Sequence, residues 1–333
     1  MIAKDTKEAK DTKKRFGVLR GVLRASVALG LTAYILYKSH PREVLAAGAG
    51  ADWRPIAVAV ALVLADRALM AYRWVLLLCT IEPHARPPLA AVMRIFFVST
   101  FVGTFLPASI GGDAVRAYNI AQLNVRGADA VASVFMDRML GVASILVMAV
   151  VGLALAGDLA DNRTILTGLT VTALACLATL ALIFSARAES AAALLIERLP
   201  ARARPAALSV VEALRRYASF HRPLANVLLC SIGVQVLRIV QAYYLGLGLA
   251  ITAPVGVYFA FVPLILLVML LPITFNGLGT SQAAFVWFFG RAGVGAPQAF
   301  ALSVLFVALG IVGNLPGAIL YVFDGDATVR RSA

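Results

Sequence analysis

The stretch Phe101–Ile120 reads F-V-G-T-F-L-P-A-S-I-G-G-D-A-V-R-A-Y-N-I, and it interrupts an apolar helical pattern. Proline removes a backbone donor and clashes with the preceding turn, and paired glycines permit the dihedral angles of a sharp reversal. Inside a bilayer, such a break is tolerated only where protein or a water-filled cavity satisfies the freed backbone groups. We therefore predict a helix broken at membrane depth that faces an interior. The residues of the predicted break are Pro107, Ser109, Gly111 and Gly112.

The same pattern recurs near the C-terminus, where Leu271–Gln282 reads L-P-I-T-F-N-G-L-G-T-S-Q. Here the helix-breaking residues are Pro272, Gly277 and Gly279. Two interrupted apolar segments in corresponding positions of two halves are the best sequence indication of a transport site.

The composition indicates an all-α polytopic membrane protein. Of the 333 residues, 61% are hydrophobic and 14% are charged, whereas a soluble domain has about 25% charged residues. The net charge of +13 is explained by basic cytoplasmic segments that face anionic lipid, so we predict no nucleic-acid partner. The sequence has no nucleotide-binding loop, metal-ligand cluster or nucleophile elbow, and we predict no cofactor, no metal and no catalytic residue.

Charge also predicts the topology. The polar segment Ala186–Pro223 contains seven arginines against three glutamates, which places it in the cytoplasm by the positive-inside rule. With a basic N-terminus inside, this placement requires that both broken segments enter and leave on the same side of the membrane. We predict about six full transmembrane helices, of which Gly17–Tyr37 is the first and Thr164–Ser185 the fourth. We also predict two opposed re-entrant hairpins, at about residues 91–123 and 255–290, with both termini cytoplasmic.

The predicted domain organisation is a single transmembrane domain over residues 17–323, with cytoplasmic tails at 1–16 and 324–333. The basic loop at 186–223 is predicted to contain an amphipathic helix at the membrane surface. A short internal sequence echo, meaning a repeated R-x-x-x-A-Y pattern, supports an inverted-repeat-like arrangement. It reads R-A-L-M-A-Y at Arg67–Tyr72 and R-I-V-Q-A-Y at Arg238–Tyr243.

Charged residues within the apolar segments are the candidate functional groups. A charge at the centre of a spanning helix costs about 2.5–3.5 kcal/mol on insertion scales, so such residues usually face an interior or a partner. Asp66 and Arg73 are seven residues apart and share a helix face. Two interpretations stay open here: a structural ion pair with another helix, or an anion-binding arginine oriented by Asp66.

Arginine is always protonated and binds phosphate through paired donors. We therefore predict a central arginine-lined cavity in which aspartates hold the arginines and balance their charge. Hydroxyl and amide groups near the two breaks complete the predicted substrate-binding set. That set is Asp66, Arg67, Ser109, Asp113, Arg116, Asp137, Arg138, Arg238, Thr274 and Gln282.

The motifs L-P-A-S-I-G-G-D-A-V-R, D-R-M-L-G and L-P-I-T-F-N-G-L-G resemble those of the lysylphosphatidylglycerol synthase/flippase transmembrane family over roughly Val58–Phe323. The chain has Gln282 where that family usually places a glutamate. The resemblance implies a bacterial inner-membrane protein, and stand-alone members include hopanoid-associated ones. We find no aminoacyl-transferase domain in this sequence and do not expect the synthase activity.

The first functional hypothesis is a lipid translocase, or flippase, that moves a phospholipid or another lipid with an anionic head group. The alternatives are a membrane-embedded enzyme acting on a lipid-linked substrate, and a scaffold for a lipid-synthesis enzyme. Transport of an ordinary small solute also fits an inverted repeat, because a fold does not define its cargo. The expected partners are membrane lipids, a lipid-synthesis enzyme, and further copies of this chain.

Overall fold

The structure is a computed structural model, and all regular structure in its described residues is helical. It describes residues 34, 37, 41–81, 87–105, 110–123, 125–155, 163–184, 196–198, 200–217, 219–270 and 279–322. Within these ranges the all-α prediction is confirmed. The helices are α1 (Pro41–Ala49), α2 (Trp53–Ile81), α3 (Leu89–Phe105), α4 (Ile110–Ala121), α5 (Gly127–Leu155), α6 (Arg163–Phe184), α7 (Arg204–Tyr217), α8 (His221–Gly248), α9 (Val255–Leu270), α10 (Thr280–Arg291) and α11 (Ala296–Val312), after which the helix resumes at 315–322.

Helices long and apolar enough to cross a membrane confirm the prediction of a multi-pass membrane protein. Each has 27 or 28 residues, which at 1.5 Å per residue is about 40 Å, against a hydrocarbon core of about 30 Å. The helices α3 and α9 are apolar but shorter. The four candidates within the described residues are Trp53–Thr80, Gly127–Ala154, His221–Gly248 and Ala296–Val322.

Two further spans were predicted from the sequence. The first, Gly17–Tyr37, lies outside the described residues apart from Tyr34 and Tyr37. The second, Thr164–Ser185, coincides with α6. The count of six full spans and the membrane depth of the two reversals stay predictions.

The helices α3 and α4 form an antiparallel hairpin around a close glycine contact. The helix α4 runs back along α3, and Gly112 near its start packs against α3. A Cβ atom at Gly112 would lie 2.9 Å from the Ser99 carbonyl oxygen and 3.0 Å from the Gly103 Cα. The two backbones touch at this point, which leaves no room for a side chain.

This packing corrects the predicted role of the glycine pair. Gly111 and Gly112 lie in the first turn of α4 rather than in the reversal, and neither has a positive φ. Gly112 is therefore required for the close approach of α3 and α4 and not for an unusual backbone conformation. Pro107 and Ser109 lie outside the described residues.

The helices α9 and α10 flank the second predicted break. Gly279 precedes α10 with φ of 85°, in the left-handed region that glycine adopts without steric cost. This dihedral angle explains the glycine at the end of the connection. Pro272, Thr274 and Gly277 lie outside the described residues.

The two halves of the chain pack against each other along α2 and α8. The Asp52 N–H donates to the Gly248 carbonyl at 2.8 Å, and Arg73 Nη1 donates to Ser231 Oγ at 3.1 Å. Residue numbers rise along α2 as they fall along α8, so the two helices are antiparallel.

Two glycine contacts between the halves resemble each other. On α5, Gly152 packs directly on the Phe259 carbonyl oxygen of α9. In the segment that follows α11, Gly317 packs in the same way on the Phe97 carbonyl oxygen of α3. In both cases a glycine of a long helix packs against a shorter apolar helix of the other half. The inverted-repeat arrangement stays a prediction.

The helix α7 is amphipathic and docks on the ends of longer helices. Its Ala213 and Tyr217 are fully buried in a cluster with Leu77 and Met136, while Leu208 is exposed. This is the helical segment predicted within the basic loop. Its location at the membrane surface stays a prediction.

Two polar contacts fix the C-terminal turn of α7. Tyr217 Oη donates to the Leu77 carbonyl at 3.1 Å, and Arg216 Nη2 forms an ion pair with Asp129 of α5. Burial, together with the Asp129 carboxylate, raises the pKa of Tyr217 well above its usual value. The phenol therefore keeps the proton that it donates to Leu77.

Replacing Tyr217 with phenylalanine removes this hydrogen bond and keeps the packing. We expect the free energy of unfolding to fall by about 1 kcal/mol, measured by thermal unfolding in detergent. The control is Ser209→Ala on the same helix, because Ser209 is partly exposed and its hydroxyl donates to the Pro205 carbonyl of its own helix. An unchanged stability in Tyr217→Phe would contradict the assignment.

Candidate functional site

A cavity of about 440 Å³ lies between the hairpin α3–α4 and the helices α2, α5, α8, α9 and α11. Its charged lining consists of five arginines and three aspartates, so the side chains leave two net positive charges, five minus three. The side of the cavity formed by α9 is apolar and is lined by Leu266, Met269 and Leu270. The charged lining residues are Asp66, Arg67, Arg73, Asp113, Arg116, Asp137, Arg138 and Arg238.

The first cluster is centred on Asp137 of α5. Its Oδ1 accepts from Arg73 Nε at 2.8 Å, and its Oδ2 accepts from Arg116 Nη2 at 3.1 Å. All three side chains are at least 95% buried. Asp137 thereby ties α2, α4 and α5 together, with one carboxylate between two guanidinium groups.

Neighbouring side chains complete this cluster. The Arg116 guanidinium lies 4.8 Å from the ring centroid of Trp74 and 5.5 Å from that of Phe96. Such cation–π contacts are worth more when they are desolvated. They hold the guanidinium in a fixed orientation at the cavity wall.

Arg138 is the exposed member of the charged lining. Its Nε and Nη2 donate to both oxygens of Asp113, at 2.7 and 2.9 Å, in the paired geometry that arginine forms with carboxylates. The Arg138 side chain is 52% exposed and that of Asp113 is 19% exposed. This pair is therefore the accessible part of the first cluster, and Asp113 also lies 3.5 Å from Arg116 Nη2.

The second cluster is centred on Asp66 of α2. Arg67 Nη1 lies 3.5 Å from Asp66 Oδ2, and Arg238 Nε of α8 lies 3.5 Å from Oδ1. Both arginines also donate to the Met70 sulfur, at 3.4 and 3.2 Å. The two arginines of the internal sequence echo therefore converge on the same carboxylate and the same methionine.

Several buried polar atoms of the cavity lining have no hydrogen-bond partner. The large majority of buried polar atoms in proteins have at least one partner, from protein or ordered water. An accumulation around one cavity therefore indicates groups that water or a ligand satisfies. The atoms are Arg67 Nε, Arg116 Nε, Asp66 Oδ1, Gln235 Oε1 and Asn314 Oδ1.

Comparison with known proteins identifies the family. The family model for the lysylphosphatidylglycerol synthase TM region matches residues 21–317 of the 333. The chain belongs to this family. No curated protein and no solved structure matches it.

Membership in the lysylphosphatidylglycerol synthase TM family confirms the resemblance found in the sequence. It associates the chain with a function connected to membrane lipids. The matched range includes every charged residue that lines the cavity. Among the described residues, no group of His, Cys, Asp and Glu side chains is placed to hold a metal ion.

The structure brings together most of the predicted substrate-binding residues. Ser109 and Thr274 lie outside the described residues, and Gln282 does not line the cavity. Its Oε1 accepts from the Gly279 N–H at 2.6 Å and from Ser281 Oγ at 3.0 Å, so it caps α10. The predicted residues on the cavity wall are Asp66, Arg67, Asp113, Arg116, Asp137, Arg138 and Arg238.

The polar lining also contains residues outside the predicted substrate-binding set, among them Arg73, Gln235 and Asn314. Arg73 pairs with Asp137 of another helix, so the interpretation as an interhelical ion pair is correct and Asp66 is not its partner. Gln235 precedes Arg238 by one turn, a spacing that places both on one face of α8. Asn314 lies in the turn between α11 and the helix at 315–322, and its amide nitrogen donates to Thr104 Oγ1 at 2.9 Å.

Proposed function

We propose that this chain is a lipid translocase that moves a phospholipid, or another lipid with an anionic head group, through the arginine-lined cavity. One observation supports this most strongly: five arginines and three aspartates line one cavity between helices long enough to cross a membrane. Intramembrane charges are costly, and they mark the pathways of substrates and ions.

The chemistry of the lining suits a phosphate group. Guanidinium groups stay charged at any physiological pH and bind phosphate oxygens through paired N–H donors. Arg67 Nε and Arg116 Nε are buried donors without a partner, so each has a hydrogen bond to give to a head group. Asp66, Asp113 and Asp137 hold the arginines in place through ion pairs.

The exposure of Arg138 gives a lipid a route to these groups. On α5, Arg138 follows Phe135 by three residues and Val131 by seven, and all three are exposed. A phosphate bound at Arg138 would therefore keep its acyl chains against an apolar stripe of the same helix. The head group would enter between α4 and α5 while the chains stay in lipid.

The similar glycine contacts between the two halves, at Gly152 and Gly317, support alternating access. We propose that α3–α4 and α9–α10 are re-entrant hairpins that enter from opposite faces of the membrane. Rocking of one half against the other around a fixed site would then expose the cavity to each leaflet in turn. The convergence of Arg67 and Arg238 on Asp66 lies where the two halves meet.

Reconstituted vesicles test the function. Purified protein should accelerate the transfer of tail-labelled anionic phospholipid between leaflets, and Arg138→Ala and Arg238→Ala should each abolish this acceleration. The physical reason is that a phosphate leaves water only if fixed positive charge replaces its hydration, and charged hydrogen bonds are worth about 1.5–3 kcal/mol each.

The matched control is Arg54→Ala, which removes an exposed arginine of α2 that does not line the cavity. Unchanged size-exclusion profiles would show that the variants are folded. Transfer at the wild-type rate in both cavity variants would refute the proposal.

A further inference from the structure

The unpartnered atoms of the cavity lining include acceptors as well as donors. Asp66 Oδ1, Gln235 Oε1 and Asn314 Oδ1 are buried and accept no hydrogen bond. Asp66 Oδ1 has an ionic contact with Arg238 Nε at 3.5 Å. A phosphate diester carries acceptors but no donors, so it satisfies none of these three oxygens.

The side-chain amides of Gln235 and Asn314 are oriented by hydrogen bonds that their nitrogen atoms donate. Gln235 Nε2 donates to Ser144 Oγ at 3.1 Å, and Asn314 Nδ2 donates to Thr104 Oγ1 at 2.9 Å. Each nitrogen is thereby used in holding the protein together, which leaves each oxygen free. The acceptors are on α2, on α8 and in the turn after α11, whereas Arg116 and Arg138 are on α4 and α5.

We propose that the cavity selects lipids whose head group carries hydrogen-bond donors, hydroxyl or ammonium, beyond its phosphate. The arginines bind the phosphate, and Asp66, Gln235 and Asn314 accept from the donors of the distal part of the head group. This inference rests on the proposed translocation of a phosphate-bearing lipid. A site with buried acceptors rejects an analogue without the donor, because binding then leaves those acceptors unpaired.

Matched pairs of tail-labelled lipids test this selection in vesicles that contain the wild-type protein. Phosphatidylglycerol and phosphatidylethanol have the same charge, but only the first has head-group hydroxyls. Phosphatidylethanolamine and phosphatidylcholine have the same phosphate and net charge, but only the first has N–H donors. We expect transfer of the donor-bearing lipid to be roughly tenfold faster in at least one pair. The free-energy cost of leaving one buried acceptor unpaired corresponds to about a tenfold change in rate.

Substitutions of Gln235 and Asn314 test whether these acceptors cause the difference in transfer rate. Gln235→Leu and Asn314→Leu should each reduce the ratio of rates within the selected pair. The control Gln298→Leu makes the same substitution near the start of α11, at a residue that does not line the cavity, and should keep the ratio. If one cavity variant fails to fold, the other still gives the answer.

The outcomes separate the two proposals. Equal transfer within both pairs, with transfer that depends on Arg138, would overturn the donor selection and keep the translocase. A ratio that neither cavity variant changes would also overturn it. Absence of protein-dependent transfer for all four lipids would instead overturn the proposed function.

Discussion

Replacing Asp137 with asparagine should lower the free energy of unfolding by about 3–5 kcal/mol, the largest stability effect that we expect of a single substitution in the cavity. The carboxylate is 3% exposed and pairs with both Arg73 and Arg116. Asparagine keeps the shape but removes the charge, so two buried guanidinium groups lose their main counter-ion. Breaking a buried ion pair by removing one partner costs this much because it leaves an uncompensated charge.

Thermal unfolding of the purified protein in detergent measures this loss, and its yield from membranes gives a second readout. The matched control is Asp113→Asn, the same substitution at the accessible edge of the same cluster. Its partner Arg138 is half exposed, and Arg116 keeps Asp137 as a partner, so this variant leaves less uncompensated charge buried within the protein. If both variants unfold at the same temperature, Asp137 does not hold the cluster together.

Alanine at Gly152 or Gly317 should each lower the free energy of unfolding by about 1–3 kcal/mol, the usual cost of overpacking a close contact. A Cβ at either position would overlap a backbone carbonyl oxygen, of Phe259 and Phe97 respectively. Carbonyl groups within helices cannot move aside as a flexible side chain does. Because both contacts set a glycine against a helix carbonyl oxygen at nearly the same distance, we expect the two losses to be similar.

Gly256→Ala and Gly290→Ala are the controls for this pair. Both glycines are in helices, and outside the backbone of their own turns no atom lies within 4 Å of the site of a Cβ. Alanine is the better helix former by up to about 1 kcal/mol, so these variants should be as stable as the wild type or slightly more stable. Wild-type stability of Gly152→Ala and Gly317→Ala would show that the helices do not pack as closely as described.

The location of the charged groups in the protein interior was predictable because charged residues are rare within apolar segments. Asp66, Arg67 and Arg238 stand in otherwise apolar helices, and their cost in lipid requires an interior location whatever the details of packing. The structure places all three on the cavity wall. Rarity within a local stretch is a property of the sequence itself.

Partner choice was not predictable in the same way. Asp66 and Arg73 share a helix face, yet Asp66 contacts Arg67 and Arg238, while Arg73 contacts Asp137 and Ser231. A side chain on a helix selects a partner by the rotation of that helix and by the identity of its neighbour. Both depend on contacts between residues that are far apart in the sequence.

Gln282 and Gly112 show the same limit at the breaks. Proximity to a break indicated a binding role for Gln282, but its amide caps α10 instead. The glycine pair indicated a reversal at Gly112, but this residue is helical and its missing side chain allows α3 and α4 to touch. A pattern shows that a residue is unusual, and the tertiary contact decides the reason.

By itself, the sequence determined the membrane class, the family motifs, the positions of the two interruptions and the set of intramembrane charges. Each of these follows from local composition, because the cost of a charge or of a broken helix in lipid is independent of the neighbours. Only the tertiary structure decided that Asp137 lies between two arginines, that the two echoed arginines share Asp66, and that three acceptors face one cavity. These features depend on how antiparallel helices from distant parts of the chain are rotated against one another, which no single segment encodes.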